Sequence, residues 1–172
     1  WVISDEIGNP GKSAQFIGLP ELMNYSFDLL SYPLYVNGIE DGHVYFDLDV
    51  KLEDIDKNGT EKFIIGVMDD ESFYPLETLI NDGSTEWISK HYDISNYTYQ
   101  EMHVKLVFRA EGENSSNIDG WFIDNIHVYQ MCEEPSNLSL EPQFGSGHSI
   151  AKLDWDPPQM TYHWLYYHDN SF

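Results

Sequence analysis

Apolar and polar positions alternate along this chain in short runs separated by turn residues. In residues 43–50, Val44, Phe46, Leu48 and Val50 face one way and His43, Tyr45, Asp47 and Asp49 the other, the pattern of a half-buried strand. Phe63, Ile65 and Val67 repeat it, as do Val104, Leu106 and Phe108 in residues 103–109. Further strands are predicted over residues 1–3, 14–17, 27–34, 74–80 and 87–92, and Pro33 confines the 27–34 strand to a sheet edge or a strand end. The breaks carry turn chemistry: EIGNPGKSA, the acidic residues 69–71, Asn81-Asp82-Gly83 and the polar stretch EGENSSNIDG. Asn58-Gly59 predicts a hairpin joining the strand before it to the one that resumes at Phe63. No segment holds a 3.6-residue apolar period over a helical length. Short strands without helices predict an all-β fold, an antiparallel sandwich, jelly roll or barrel.

The most informative run is DGWFIDNIHVY, residues 119–129. On a regular strand Phe122, Ile126 and Val128 share a face with Asp124, while Trp121, Ile123, His127 and Tyr129 share the other. A carboxylate in apolar company must be hydrogen-bonded, paired or bound to a cation, because burying it alone costs more than a strand recovers.

Composition narrows the function classes. The 172 residues are 41% hydrophobic, enough for a packed core, and 30 acidic residues against 8 basic give a net charge of −22. Such a surface repels phosphate backbones and anionic lipid, which removes nucleic acid and membrane insertion as partners; it is a solvated acidic exterior with a tendency to attract divalent cations. No apolar run approaches the roughly 20 residues of a membrane helix. Cys132 is the single cysteine, so neither an internal disulfide nor a cysteine-rich zinc site can form. The chain opens at Trp1 with no signal-peptide pattern, and its natural N-terminus is expected elsewhere. Composition shifts at Cys132-Glu133-Glu134-Pro135, which places a linker at 132–134 between a domain over 1–131 and a second module over 135–172.

Several runs, in this order, resemble a known family: Asp28-Leu29-Leu30-Ser31-Tyr32-Pro33-Leu34; Trp87 followed by Tyr92-Asp93-Ile94-Ser95 and Tyr97; Val104-Lys105-Leu106-Val107-Phe108-Arg109; and Asp119-Gly120-Trp121-Phe122-Ile123-Asp124-Asn125-Ile126-His127-Val128. They are similar to the MAM-like jelly rolls, including the choice-of-anchor J and cleaved-adhesin domains of secreted Bacteroidetes modular proteins. That resemblance implies an antiparallel jelly-roll β-sandwich, lacking the N-terminal strand with which the family begins, and export by type IX secretion. Residues 135–138 and 150–158, with Trp155 as core tryptophan, resemble the first strands of a fibronectin type III domain. An Ig-like sandwich needs about 100 residues, so this second module is incomplete.

The resemblance further implies that Asp124 helps hold a structural calcium, with Asp119 as a weaker partner. Calcium takes six to eight oxygens, so Asp124 alone is not a site, and an Asp hydrogen-bonded to backbone amides is the competing reading. Asp54-Ile55-Asp56-Lys57-Asn58-Gly59 matches half of a calcium loop, with Asp54, Asp56 and Asn58 as ligands; Ile65 stands where the closing Glu belongs, and a polar hairpin tip is the simpler account. Most aromatics, Trp87, Trp121 and Trp155 among them, read as core, leaving Tyr97, Tyr99 and the cluster at 162–167 as exposed candidates for a protein- or sugar-binding surface. Asn24, Asn58, Asn96, Asn114 and Asn137 open N-x-Ser/Thr sequons. Catalytic motifs are missing: no H-E-x-x-H, G-x-S-x-G or phosphate-binding loop occurs, the serines of Gly145-Ser146-Gly147-His148-Ser149 are out of phase for a nucleophile elbow, and acidic neighbours give Cys132 no activating environment.

The sequence therefore points to a non-catalytic adhesion or substrate-recognition module of a secreted or cell-surface bacterial multidomain protein, partnered by a protein or glycan ligand and by other domains of the same polypeptide. The alternatives are an accessory β-sandwich domain of a secreted peptidase whose catalytic domain lies outside this chain, and a carbohydrate-binding module.

Overall fold

A computed structural model describes residues 1–35, 43–69, 72–98, 103–131, 136–145 and 148–156. The protein is an antiparallel jelly-roll β-sandwich. Its strands are β1 Val2–Ser4, β2 Ser13–Ile17, β3 Met23–Leu30, β4 Leu34–Tyr35, β5 His43–Asp54, β6 Lys62–Met68, β7 Phe73–Ile80, β8 Ile88–Asp93, β9 His103–Asn114 and β10 Ile118–Met131. One sheet has the order β1-β2-β10-β5-β8; the other runs β3-β9-β6-β7, with β4 added beside β9. From β5 onward the chain crosses between the sheets at every connection except β6–β7, which is what makes the sandwich a jelly roll. The strands β11 Ser136–Gly145 and β12 His148–Asp156 form a separate two-stranded sheet.

The alternation in the sequence supplies the core. Phe46, Leu48 and Val50 from β5 meet Phe63, Ile65 and Val67 from β6, and Leu106 and Phe108 from β9, all essentially without exposed surface. Trp121 of β10 stacks on Phe63 with centroids 5.4 Å apart. Two of the sequence expectations need correction here. Asn58-Gly59 does not close a hairpin: β5 pairs with β10 and β8, β6 with β7 and β9, and the loop carries the chain from one sheet to the other, with Gly59 at φ 72°. The motif reports a turn correctly, but a turn signal carries no information about which sheet the next strand joins. The stretch EGENSSNIDG is also less of a loop than expected, since β9 runs to Asn114 and a single 3-10 turn over Ser115–Asn117 leads into β10.

At the end of the second sheet a buried carboxylate closes the core. Glu61 has no exposed surface, and its Oε1 accepts from the Asn114 amide (3.0 Å), the Asn117 side-chain amide (3.0 Å) and the Thr60 hydroxyl (2.7 Å). Tyr25 stands opposite Gly112 in the register, with its buried phenol on the Glu61 side of that glycine. Burial pushes the Glu61 carboxyl upward, but the nearby Tyr25 phenol and the donors Asn114, Thr60 and Asn117 outweigh it, so the group sits below the ordinary range. A Cβ on Gly112 would lie 1.8 Å from Glu61 Oε2, which is why the position between these two side chains is a glycine.

Candidate functional site

The site lies on the outer face of the first sheet, and a β-bulge creates it. Asp124 pairs with Asp49, but three residues later His127 pairs with Asp47, so β10 carries one more residue than β5 across this step. Asn125 takes up the irregularity with φ 51°, a left-handed conformation that Asn tolerates better than most residues. The bulge reverses the parity of everything after it. Phe122 and Asp124 point away from the core cluster that holds Trp121 and Ile123; beyond the bulge, Val128 packs against the core, while His127 and Tyr129 join the outer face beside Asp47 and Tyr45. This corrects the sequence reading, which placed Asp124 with Ile126 and Val128, and His127 with Trp121. Strict alternation cannot register an inserted residue.

Asp124 is consequently not a core acid but one corner of a clasp. Its Oδ2 accepts from the Asn9 amide (2.6 Å) and its Oδ1 from the Asn125 amide (2.7 Å). Asp49, only 8% exposed, accepts at Oδ2 from the side-chain amides of Asn9 (3.0 Å) and Asn125 (2.8 Å), and at Oδ1 from the Ser89 hydroxyl (2.5 Å). Asn125 also donates to the Asn9 carbonyl. The hydrogen bonds from Asn125 and Ser89, with a smaller one from Asn9, hold the Asp49 carboxyl below its usual range against the opposing effect of burial. The clasp pins the β1–β2 loop across β10 to β5. Phe122, which has no exposed surface although it lies outside the core cluster, is on this covered half of the face.

These oxygens meet N–H and O–H donors, and a calcium ion at Asp124 would have to displace them. Asp119 is exposed, and its carbonyl accepts from Gly18. Among the described residues, no group of three or more His, Cys, Asp or Glu side chains is placed to hold a metal ion. The second acidic loop converges on an amide: Asn81 Nδ2 lies 3.3 Å from Asp54 Oδ1, 2.7 Å from the Asp56 carbonyl and 3.2 Å from Asn58 Oδ1. The Asn81 Oδ1 accepts from the Glu61 amide at 2.9 Å, which fixes which way this side chain points. Asp54 and Asn58 are thus brought together, with Asp56 contributing through its backbone.

The uncovered half of the outer face carries a ladder of rings drawn from three strands. Tyr45 stacks on His91 across the β5–β8 pair (5.0 Å, 19°) and lies 5.8 Å from Tyr129 on β10; His127 stacks on Tyr129 at 5.1 Å, and His43 on Tyr45 at 5.9 Å. The His91 Nδ1 hydrogen-bonds Asp47 Oδ1 at 2.6 Å and lies 3.4 Å from the Tyr129 hydroxyl, while His43 Nδ1 approaches Asp93 at 3.4 Å. The side chains of His91 and His43 are 58% and 59% exposed. Desolvation by its neighbours, then the charge of Asp47, raises the Tyr129 phenol. The surface therefore offers rings locked against one another, with hydroxyl, imidazole and carboxylate groups at their edges and no lysine or arginine among them.

The sequence reading missed this ladder and looked elsewhere. Tyr97, a candidate for the exposed surface on sequence grounds, is partly buried and packs on Tyr74 (5.1 Å) against the core. Tyr99, Cys132 and the 162–167 cluster lie outside the described residues, as does the side chain of Trp155. One signal was available: His43, Tyr45 and Asp47 alternate on the polar side of the best-defined strand, and an aromatic on that side is not explained by burial. Among the described residues, no helix is long and apolar enough to cross a membrane.

No protein-family model matches the chain, and no curated protein matches it. Among solved structures, the chain is similar to TmCBM61 in complex with beta-1,4-galactotriose, at 16% identity and a TM-score of 0.49 over 72% of this chain and 73% of that one. It is also similar to Caldicellulosiruptor saccharolyticus CBM27-1 in complex with mannohexaose, at 14% identity and a TM-score of 0.45 over 72% and 79%. At these identities and TM-scores neither likeness transfers a binding residue to this chain.

Proposed function

We propose that this chain is a non-catalytic recognition module that binds a neutral glycan on the uncovered outer face of its first sheet. The observation that carries the reading is the ring ladder of Tyr45, His91, Tyr129 and His127 bordered by Asp47 and Asp93. The half-buried tyrosine rings and the exposed imidazoles offer apolar contact to the C–H faces of a pyranose, and the phenol, imidazole and carboxylate groups at their edges match its hydroxyls. The rings are held by mutual stacking and by the His91–Asp47 bond, so little side-chain freedom is lost on binding. A net charge of −22 and the absence of a basic side chain from the ladder oppose uronates, sulfated sugars and phosphates. Recognition of this kind suits a secreted or surface-exposed multidomain protein, where it serves adhesion or holds a substrate near a neighbouring domain, as the resemblance of residues 1–131 to adhesin jelly rolls suggests.

Calorimetric titration with mannohexaose, cellohexaose and xylohexaose, preceded by a glycan array that includes acidic sugars, tests the reading. Binding to a neutral glycan is expected, with Tyr45→Ala and Tyr129→Ala each weakening it about tenfold or more while Tm moves by only a few degrees. Failure of every neutral glycan to bind, or binding indifferent to both substitutions, sinks the proposal.

A further inference from the structure

The ladder is assembled by a residue that does not belong to it. We infer that Asn125 is the positioning residue of the platform: its left-handed backbone and its side-chain amide hold the bulge that sets Tyr129 beside Tyr45. The inference rests on the reading of the ladder as the ligand surface, but its geometry stands independently of any ligand. In an even ladder continuing from the Asp124–Asp49 pair, Val128 would sit opposite Tyr45 and Tyr129 would turn toward the core; the extra residue at the bulge is what brings Tyr129 opposite Tyr45 instead. Holding that extra residue requires a positive φ, here 51°, which most side chains resist. It also requires something to keep the bulge from migrating along the strand. The Asn125 amide supplies this, reaching Asp49 on β5 and the Asn9 carbonyl on the β1–β2 loop while its own N–H meets Asp124. One side chain therefore ties three segments at the boundary between the covered and uncovered halves of the face. A site built on rings needs its supporting shell fixed to within fractions of an ångström, and this clasp is that shell.

The test compares Asn125→Ala with deletion of Asn125. Alanine keeps the extra residue but loses the amide and strains the backbone, whereas deletion removes the extra residue and leaves an even ladder in which Tyr129 still faces Tyr45. The readout is the NOE between the Tyr45 and Tyr129 ring protons, whose centroids are 5.8 Å apart, read alongside titration with mannohexaose, cellohexaose and xylohexaose. Asn125→Ala is expected to lose or strongly weaken the NOE and to reduce hexaose affinity tenfold or more; the deletion is expected to keep the NOE. A residue important only for stability would make the deletion the more damaging change. An Asn125→Ala protein with a wild-type NOE, or a folded deletion variant without one, overturns the inference. Should Asn125→Ala not fold, Asn125→Gly, which accepts the backbone and removes only the amide, is expected to weaken the NOE, and a wild-type NOE there overturns it equally. If the wild-type protein binds none of the three hexaoses, the glycan reading falls and the NOE comparison still decides the role of Asn125.

Discussion

Two carboxylates show how single residues fix this molecule, one by shape and one by charge. Glu61 and Tyr25 meet across Gly112, where a methyl group has no room: its carbon would stand 1.8 Å from one Glu61 oxygen and 3.0 Å from the Glu61 Cα. Gly112→Ala must therefore push the buried carboxylate off its donors, and we expect a loss of about 2 kcal/mol or more, seen as a lower midpoint in urea at unchanged slope. A midpoint equal to wild type would contradict the packing described. Asp49 acts through its charge. The Asn125 and Ser89 hydrogen bonds lower its folded-state value, so the unfolded chain takes up the proton first as pH falls. The stability it contributes is complete above the ordinary aspartate range and disappears as pH drops below about 4, through the lowered value. Wild type should thus melt above Asp49→Asn at pH 7, and the gap should narrow as pH falls below the ordinary aspartate value of about 4; a gap constant over the whole range contradicts the assignment. Comparing the two proteins at each pH cancels most of the change in overall charge.

At the scale of elements, what alternation could reveal and what it could not divide cleanly. The strands β5, β6 and β9 were legible because their core-facing side chains are apolar, so Val44-Phe46-Leu48-Val50 and Val104-Leu106-Phe108 repeat with period two. The crossover between β5 and β6 was not, since the polar turn at Asn58-Gly59 has the same chemistry whether the chain returns to its own sheet or passes to the facing one. The bulge in β10 was hidden for a different reason. Ile126 and Val128 are both apolar, so an unbroken strand fits the pattern, but Ile126 is 45% exposed in the bulge while Val128 packs against the core. Asn125 was the residue that could have signalled the break, because the Asp124-Asn125 pair between Ile123 and Ile126 has poor β-propensity and Asn tolerates positive φ. The ladder was invisible for the same reason. It needs β8, β5 and the shifted half of β10 in register, and only Tyr45 with its neighbours was readable from one strand.

For the whole molecule, the division of one sheet face explains how a sandwich with a strongly acidic surface can carry a defined site. The β1–β2 loop is pinned over one half of the outer face, where Phe122 is sealed from solvent, and the clasp that pins it borders the half left open. In the proposed reading, the charge of −22 acts over the entire surface and sets which ligands approach, whereas the rings set where they stop. Of the exposed apolar residues, Ile3, Met23 and Tyr32 lie on or beside β1 and β3 at the other edge of the sandwich, so a ligand on the ladder should leave these three undisturbed. The most direct test of this account is a titration of isotope-labelled protein with mannohexaose, cellohexaose and xylohexaose followed by two-dimensional NMR. The account predicts that the resonances that shift cluster on Tyr45, Asp47, His91, His127 and Tyr129. Shifts confined to β1, β3 and their loops, or no shifts with any of the three sugars, would contradict it.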